Sequence, residues 1–312
     1  MASKIESLAV CNPMQMVFPV RSAQNPRYLG YVMPMICRQQ NRELVLISQH
    51  DHSRLSGEMA RKIGNALFAP PSPFDPVVRA ITEHDCGWDE ADREPAITPL
   101  GQPTHVFEAD VLTSMAGWEK SVDRVAAQDP YAGLLVSLHS MALASRAAAR
   151  QPEPEDEFAR QRVFRVRRFI HRQIEVQESL RQRLDMRIDL PLRGGLAEEG
   201  RAAEEDLLRT NFFLLEFLDE ISLDLCFGRL IFQRIEMVYP RAGEGPISAR
   251  IGGDADAGMT LYPWPFNAPR LEFEIPARRI GAGPYHDADT LQAACENAAA
   301  CAIRVVLHPA GS

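Results

Sequence analysis

Ala202–Phe227, AAEEDLLRTNFFLLEFLDEISLDLCF, is the stretch on which the fold turns. Leu208, Phe212, Leu215, Asp219, Ser222 and Cys226 recur at spacings of four and three, so they share one face of an α-helix. That face is apolar except for Asp219 in its middle. A carboxylate on a core-facing row is costly unless a salt bridge, hydrogen bonds or a metal ion pairs with it. Asp224 falls on a different face, beside Glu220 and Phe217. At Gly228 the pattern changes. LIFQRIEMVYP, ISARIGG, GMTLYPWPF and RLEFEIPARRI alternate apolar and polar residues between Gly, Pro and Asn turns, as antiparallel strands do. Asp287–Ala299 returns to helix, and CAIRVVLHP follows as a strand.

Upstream of this stretch the chain reads mainly as helix. A long charged helix is expected over 153–186, broken by Pro191-Leu192-Arg193-Gly194-Gly195, with shorter helices at 118–128 and 130–149. Asp75-Pro76 opens a helix that ends near Cys86-Gly87, with Pro in its first turn. Asp51 is the expected N-cap of a helix running to Asn65. Between Trp88 and Trp118 the chain is irregular, a loop long enough to wall a pocket. MVFPV, YLGYVMPMI and ELVLIS read as short strands. The class is therefore α+β: a helical bundle with an antiparallel β-rich C-terminal part, joined by N-terminal strands. Residues 1–15 read as a ragged tail, 16–228 as a mainly helical region, and 229–312 as a β-rich region with one helix, packed on the first as one body.

Bulk composition narrows the function. The formal net charge is −8 and no long basic stripe offsets it, so nucleic acid is not an expected partner. The exception is RQRVFRVRRFIHR, Arg160–Arg172, which reads as the solvated face of a long helix. Cys11, Cys37, Cys86, Cys226, Cys295 and Cys301 form no CxxC pair, and reduced thiols in a cytoplasmic protein are expected. The N-terminus makes a poor signal peptide. No run of about 18 apolar residues occurs, so no membrane span is expected.

Polar residues interrupt apolar rows on three further helices. His52 in QHDHSRLSG shares a face with Leu55, Met59 and Ile63. His84 in AITEHDCGW follows Val77 and Ile81 at helical spacing, with Asp85 beside it. His139 in LLVSLHSMAL shares a face with Ala132, Val136 and Leu143. Any one of them is explained by a hydrogen-bonded core residue. Together with Asp219 they make three imidazoles and two carboxylates, a set that suits Mn, Fe, Zn, Co or Ni better than Mg or Ca, in one ion or two. Beyond the pair, Trp88 is a candidate pocket wall, and Asp92 a candidate second acceptor for a ligand imidazole or a general base. Asp85 is the other candidate catalytic carboxylate. Arg54 and Arg93 are candidates for a substrate anion.

QHDHSRLSGEMA, AITEHDCGWDEADREP, LLVSLHSMAL, LLEFLDEISLDLC and LYPWPF together resemble the uncharacterised family called domain of unknown function 3891, from about Leu44 to the C-terminus. That resemblance implies motif positions and no reaction. A looser resemblance is to the HD superfamily of metal-dependent phosphohydrolases, whose order of His, His-Asp and distant Asp falls here on His52, His84, Asp85 and Asp219. It implies a helical bundle and hydrolysis of a small phosphorylated substrate. The additional His139 is similar to the enlarged ligand sets of dinuclear members, which include di-iron oxygenases. Three readings stay open: a metal-dependent hydrolase acting on a small anionic molecule, a di-iron oxygenase on the same scaffold, and a non-catalytic binding protein whose polar cluster is structural. The sequence sets no oligomeric state.

Overall fold

The computed structural model describes residues 35–89, 92, 95–149, 156–186, 196–254 and 257–311. It opens on a hairpin, β1 (Ile36–Gln40) and β2 (Glu43–Ile47), turned at Asn41, which takes the left-handed φ of 57° that Asn tolerates. β1 begins where YLGYVMPMI ends; MVFPV and the 1–15 tail lie outside the described residues. Six helices follow: α1 (Gln49–Ala60), α2 (Phe74–Glu83), α3 (Val111–Gln128), α4 (Pro130–Ala149), α5 (Glu157–Arg183) and α6 (Leu196–Phe227). Then come β3 (Arg229–Val238), β4 (Ile247–Asp254), β5 (Gly258–Tyr262), β6 (Leu271–Gly281), α7 (Ala288–Asn297) and β7 (Ala300–Pro309).

Several helix bounds differ from expectation: α1 stops at Ala60, short of Asn65, and α5 starts at Glu157. Ser48, not Asp51, caps α1. Its Oγ accepts from the Asp51 N–H at 2.9 Å and donates to Asp51 Oδ2 at 2.6 Å, so a hydroxyl one turn earlier serves the free N–H groups. α3 starts at Val111 under an Asp110 cap, which shortens the irregular stretch after Trp88. α6 ends at Gly228, whose φ of 85° favours glycine and whose missing side chain leaves room for the Arg38 guanidinium.

The strands form one seven-stranded sheet in the order β1-β2-β6-β7-β5-β4-β3. β2 pairs with β6, Leu44 opposite Ile280, so the N-terminal hairpin belongs to the C-terminal sheet. All pairings are antiparallel except β5 with β7. β6 shows why it is a strand: Leu271, Phe273, Ile275 and Ala277 are buried while Glu272, Glu274, Pro276 and Arg278 are exposed. Its buried row joins Val45, Ile47, Ile251 and Leu261 in a core shared with Leu215, Ile221 and Leu225 of α6. Each such side chain contributes roughly 1.5–3 kcal/mol on burial. At the β1-β2-β6 end the other face is covered by α7, with Leu291 and Cys295 on Leu44, Leu46 and Ile280. The PWPF string is a structural turn. Its Trp264 Nε1 donates to the Ala268 carbonyl at 2.6 Å, and Phe266 bridges to Ile63 just past α1. Among the described residues one helix, α4, is long and apolar enough to cross a membrane; half of the apolar window is buried, and it carries His139.

Candidate metal centre

Helices α1, α2, α4 and α6 bring His52, His84, Asp85, His139 and Asp219 into one cluster. The close approach of α1 to α2 depends on Gly57: a Cβ there would lie 2.0 Å from Thr82 Oγ1 and 3.0 Å from Thr82 Cα. His84 is the C-cap of α2, and Asp85 has left the helix at φ −114°. The adjacent pair is thereby freed from the fixed angle of about 100° that separates helical neighbours.

Distances within the cluster are short. His52 Nε2 lies 2.9 Å from Asp85 Oδ2. His84 Nε2 lies 3.2 Å from Asp219 Oδ1 and 3.7 Å from Asp85 Oδ2. His139 Nε2 lies 3.9 Å from Asp219 Oδ2. The His84 ring is 5.3 Å from that of His52 and 5.1 Å from that of His139. The ligand atoms of His52, His84 and Asp85 all fall within 4.8 Å of one another, as do those of His84, His139 and Asp219. With bonds of about 2.0–2.2 Å, neighbouring donors around one ion sit about 3–3.5 Å apart, which these spacings bracket.

The far side of each ring decides what the near side can do. His84 Nδ1 is 2.9 Å from the Ile81 carbonyl, an acceptor only, so Nδ1 carries the hydrogen. His139 Nδ1 faces Glu216 Oε1 at 2.5 Å, and Glu216 Oε2 accepts from Arg146 at 2.6 Å. His52 Nδ1 is 3.0 Å from Ser222 Oγ, whose own hydrogen goes to the Asp219 carbonyl at 2.8 Å. In each neutral ring the remaining lone pair is on Nε2. Three Nε2 lone pairs thus face two carboxylates, and the side-chain Oδ1 of Asp85 is buried without a hydrogen-bond partner. Lone pairs do not face carboxylates at these distances without a cation between them, either protons or a metal ion. Backing of imidazole Nδ1 by an acceptor is the usual support of a metal-ligating histidine.

The electrostatics agree. Burial pulls His84 down, but the charges of Asp85 and Asp219 and the Asp219 hydrogen bond outweigh it, and the imidazole is pushed up to about 9. Burial raises Asp219, but the His84 hydrogen bond and charge, with the charges of His139 and His52, hold it well below the carboxylate range. Asp85 is likewise lowered against its burial by His84 and His52, and Glu216 by His139 and Arg146. Side chains of the three histidines are 0–2% exposed, those of Asp85 and Asp219 11% and 14%. The imidazoles are the most deeply buried members of the cluster and the two carboxylates slightly less so.

The other sequence candidates that are described make their contacts outside these five side chains. Asp92 Oδ2 accepts from the Gln49 N–H at 3.0 Å, so it caps α1 and does not touch an imidazole; burial pushes its carboxyl up to about 8. Trp88 is buried against Gly117 of α3, where a Cβ would lie 2.5 Å from its ring. Arg54 is largely exposed and pairs with Asp51. Arg93 lies outside the described residues. Asp224 is buried one turn beyond Glu220, and burial together with Glu220 and Asp219 pushes it up to about 8. His50 faces away from the cluster, toward Asp89 at 2.5 Å and Glu83 at 3.3 Å, and so ties the start of α1 to the end of α2. His105 caps a short turn and stacks on Phe227. Three parts of the site escaped sequence reading. Ser222 stood on the Asp219 row without a role, Glu216 is one turn before Asp219 on an adjoining face, and the Ile81 carbonyl carries no sequence signal.

A family model described as Protein of unknown function (DUF3891) matches residues 35–282, which include all five side chains. No curated protein and no solved structure shows a significant match to the chain.

Proposed function

The chain belongs to the family Protein of unknown function (DUF3891), and we propose that it is a metal-dependent hydrolase acting on a small anionic, phosphorylated substrate. One observation carries this reading: three histidines whose Nδ1 atoms are all engaged behind them turn their Nε2 atoms toward two carboxylates. Three imidazoles and two carboxylates favour Mn, Fe, Co, Ni or Zn. His84 is common to both ligand groups, His52–His84–Asp85 and His84–His139–Asp219, and the proposed site is mono- or dinuclear. A di-iron oxygenase on the same scaffold is the second reading and needs both ligand groups filled.

When bound, such an ion lowers the pKa of water and polarises a phosphoryl oxygen. The protein does the rest. The buried imidazoles hold the cluster rigid and dry. Asp85 engages His52 through Oδ2, and its Oδ1, buried and without a hydrogen-bond partner, would be the oxygen to accept a proton from a water admitted to the site. Arg146, partly exposed beside Glu216, offers a cation at the rim for a substrate anion.

Elemental analysis of gently purified protein, followed by a panel of phosphomonoesters and phosphodiesters with and without chelator, tests the proposal. Stoichiometric transition metal is expected, with turnover restored by Mn or a similar ion and lost in Asp85→Ala. Turnover that survives both chelation and Asp85→Ala refutes it. Metal-free protein in which the His and Asp substitutions change stability alone marks the cluster as structural.

A further inference from the structure

The Arg-rich helix α5 packs on the bundle through Val166, Phe169, Gln173, Gln177 and Leu180, and leaves its opposite face exposed. Arg160, Phe164, Arg167, Arg168, His171, Ile174, Glu175 and Glu178 recur on that face at helical spacing, and all are exposed. Phe164 is 64% and Ile174 40% exposed, apolar area that a solvated face does not need. Charge on this face is segregated. Arg167 and Arg168 lie on one side of His171, Glu175 and Glu178 on the other, and among the described residues none of the four has an ion-pair partner. Arg172 and Arg181, by contrast, are taken up by Glu119 and Glu205.

We propose that two copies of this chain pair antiparallel through α5, about a two-fold axis near His171 and Arg172. The arithmetic of the helix fits. An antiparallel two-fold sets residues at equal distances on either side of the axis opposite one another, on the same flank. With the axis at about residue 172, Arg168 falls opposite Glu175 of the second copy and Arg167 opposite Glu178, each to within about one residue (about 1.5 Å) along the helix, an offset that these long side chains span. Each pair occurs twice, and within one chain its members are two turns or more apart and cannot meet. Ile174 lies between the charged pairs and Phe164 just beyond them, and both supply apolar contact. A polyanion is the poorer occupant, because Glu175 and Glu178 share the face with the arginines and the chain carries a net charge of −8. The contact is one helix long, so it belongs with small interfaces and its dimer dissociates on dilution.

Sedimentation velocity on the full chain at high micromolar concentration tests this. The wild type is expected to be dimeric, less so in high salt. Arg167→Glu with Arg168→Glu, and separately Glu175→Arg with Glu178→Arg, should each weaken self-association at least about tenfold. Mixing those two variants should restore a dimer containing one of each, as should all four changes in one chain; both results exclude misfolding as the cause. A monomeric wild type, dimers that persist after charge reversal, or swapped charges that fail to restore pairing would each overturn the proposal.

Discussion

Glu216 Oε1 stands 2.5 Å from His139 Nδ1 while its second oxygen holds Arg146, so one carboxylate links a cluster imidazole to a partly exposed cation. The other two histidines lean on neutral acceptors, a hydroxyl and a backbone carbonyl. Glu216 is the one charged support. Glu216→Gln keeps the shape and removes the charge, and it should lower metal affinity by about 10–100-fold. Arg146→Met should have a smaller effect, since it leaves the Glu216–His139 contact in place. Metal titration read by a change in thermal midpoint measures both.

Ser222 supports the cluster without charge. Its Oγ faces His52 Nδ1, donates to the Asp219 carbonyl and accepts from Ser56 at 2.8 Å. Ser222→Ala leaves a fully buried imidazole N–H without an acceptor and should cost about 1–3 kcal/mol. Urea unfolding of the metal-free protein gives the number. Ser56→Ala, which leaves the Ser222–His52 contact intact, should cost less.

Gly57 sets the spacing of the helices that carry His52 and His84. Alanine is the better helix former by about 1 kcal/mol, yet its methyl would enter Thr82. The Thr82 hydroxyl is bonded to the Val78 carbonyl at 2.7 Å, and its Cα cannot move without α2. Gly57→Ala should therefore destabilise by about 1–3 kcal/mol and weaken metal binding together. A variant that gains stability and binds metal normally would show that the two helices have room to part.

Acidity should act on the metal-free protein from both sides. His84 is raised from 6.5 to about 9, so its contribution is whole below pH 6.5 and disappears as pH rises through about 9. Asp85, Asp219 and Glu216 are lowered from 3.8, 3.8 and 4.5, so theirs is present above about pH 4 and disappears on acidification. Stability should peak between these limits. Metal affinity should instead climb up to about pH 9, because the ion displaces the His84 proton. Unfolding midpoints across pH, with and without chelator, separate the two trends, and at a metal concentration 100 times Kd the ion should add about 2.7 kcal/mol.

Four of the five cluster residues are legible because each falls on an apolar helical row, where a polar group must find a partner, and Asp85 is legible as the neighbour of His84. The strands after Gly228 are legible for the matching reason: β6 alternates cleanly because one of its faces is buried. Helix starts are less so. Ser48 and Asp51 are both good capping residues, and the choice between them rests on which backbone N–H groups are left over. Glu216 was hidden because an acidic residue on a helix flank looks solvated until Arg146 and His139 close over it. The contact of the Asp92 carboxyl with the backbone of α1 was hidden for the converse reason: it has no side-chain signature. The Arg run of α5 reads as a solvated face and is largely exposed; what went unread is that Phe164 and Ile174 are exposed with it.

Pairing of β2 with β6 ties residues 43–46 to residues 278–281. The hairpin leaves the ribosome long before the strand that completes it, so its edge stays bare while every cluster-bearing helix is being made. Such distant contacts slow folding and leave a sticky edge exposed in the interval. Nascent chains halted ahead of β6 would thus carry all five cluster residues and still be prone to aggregate.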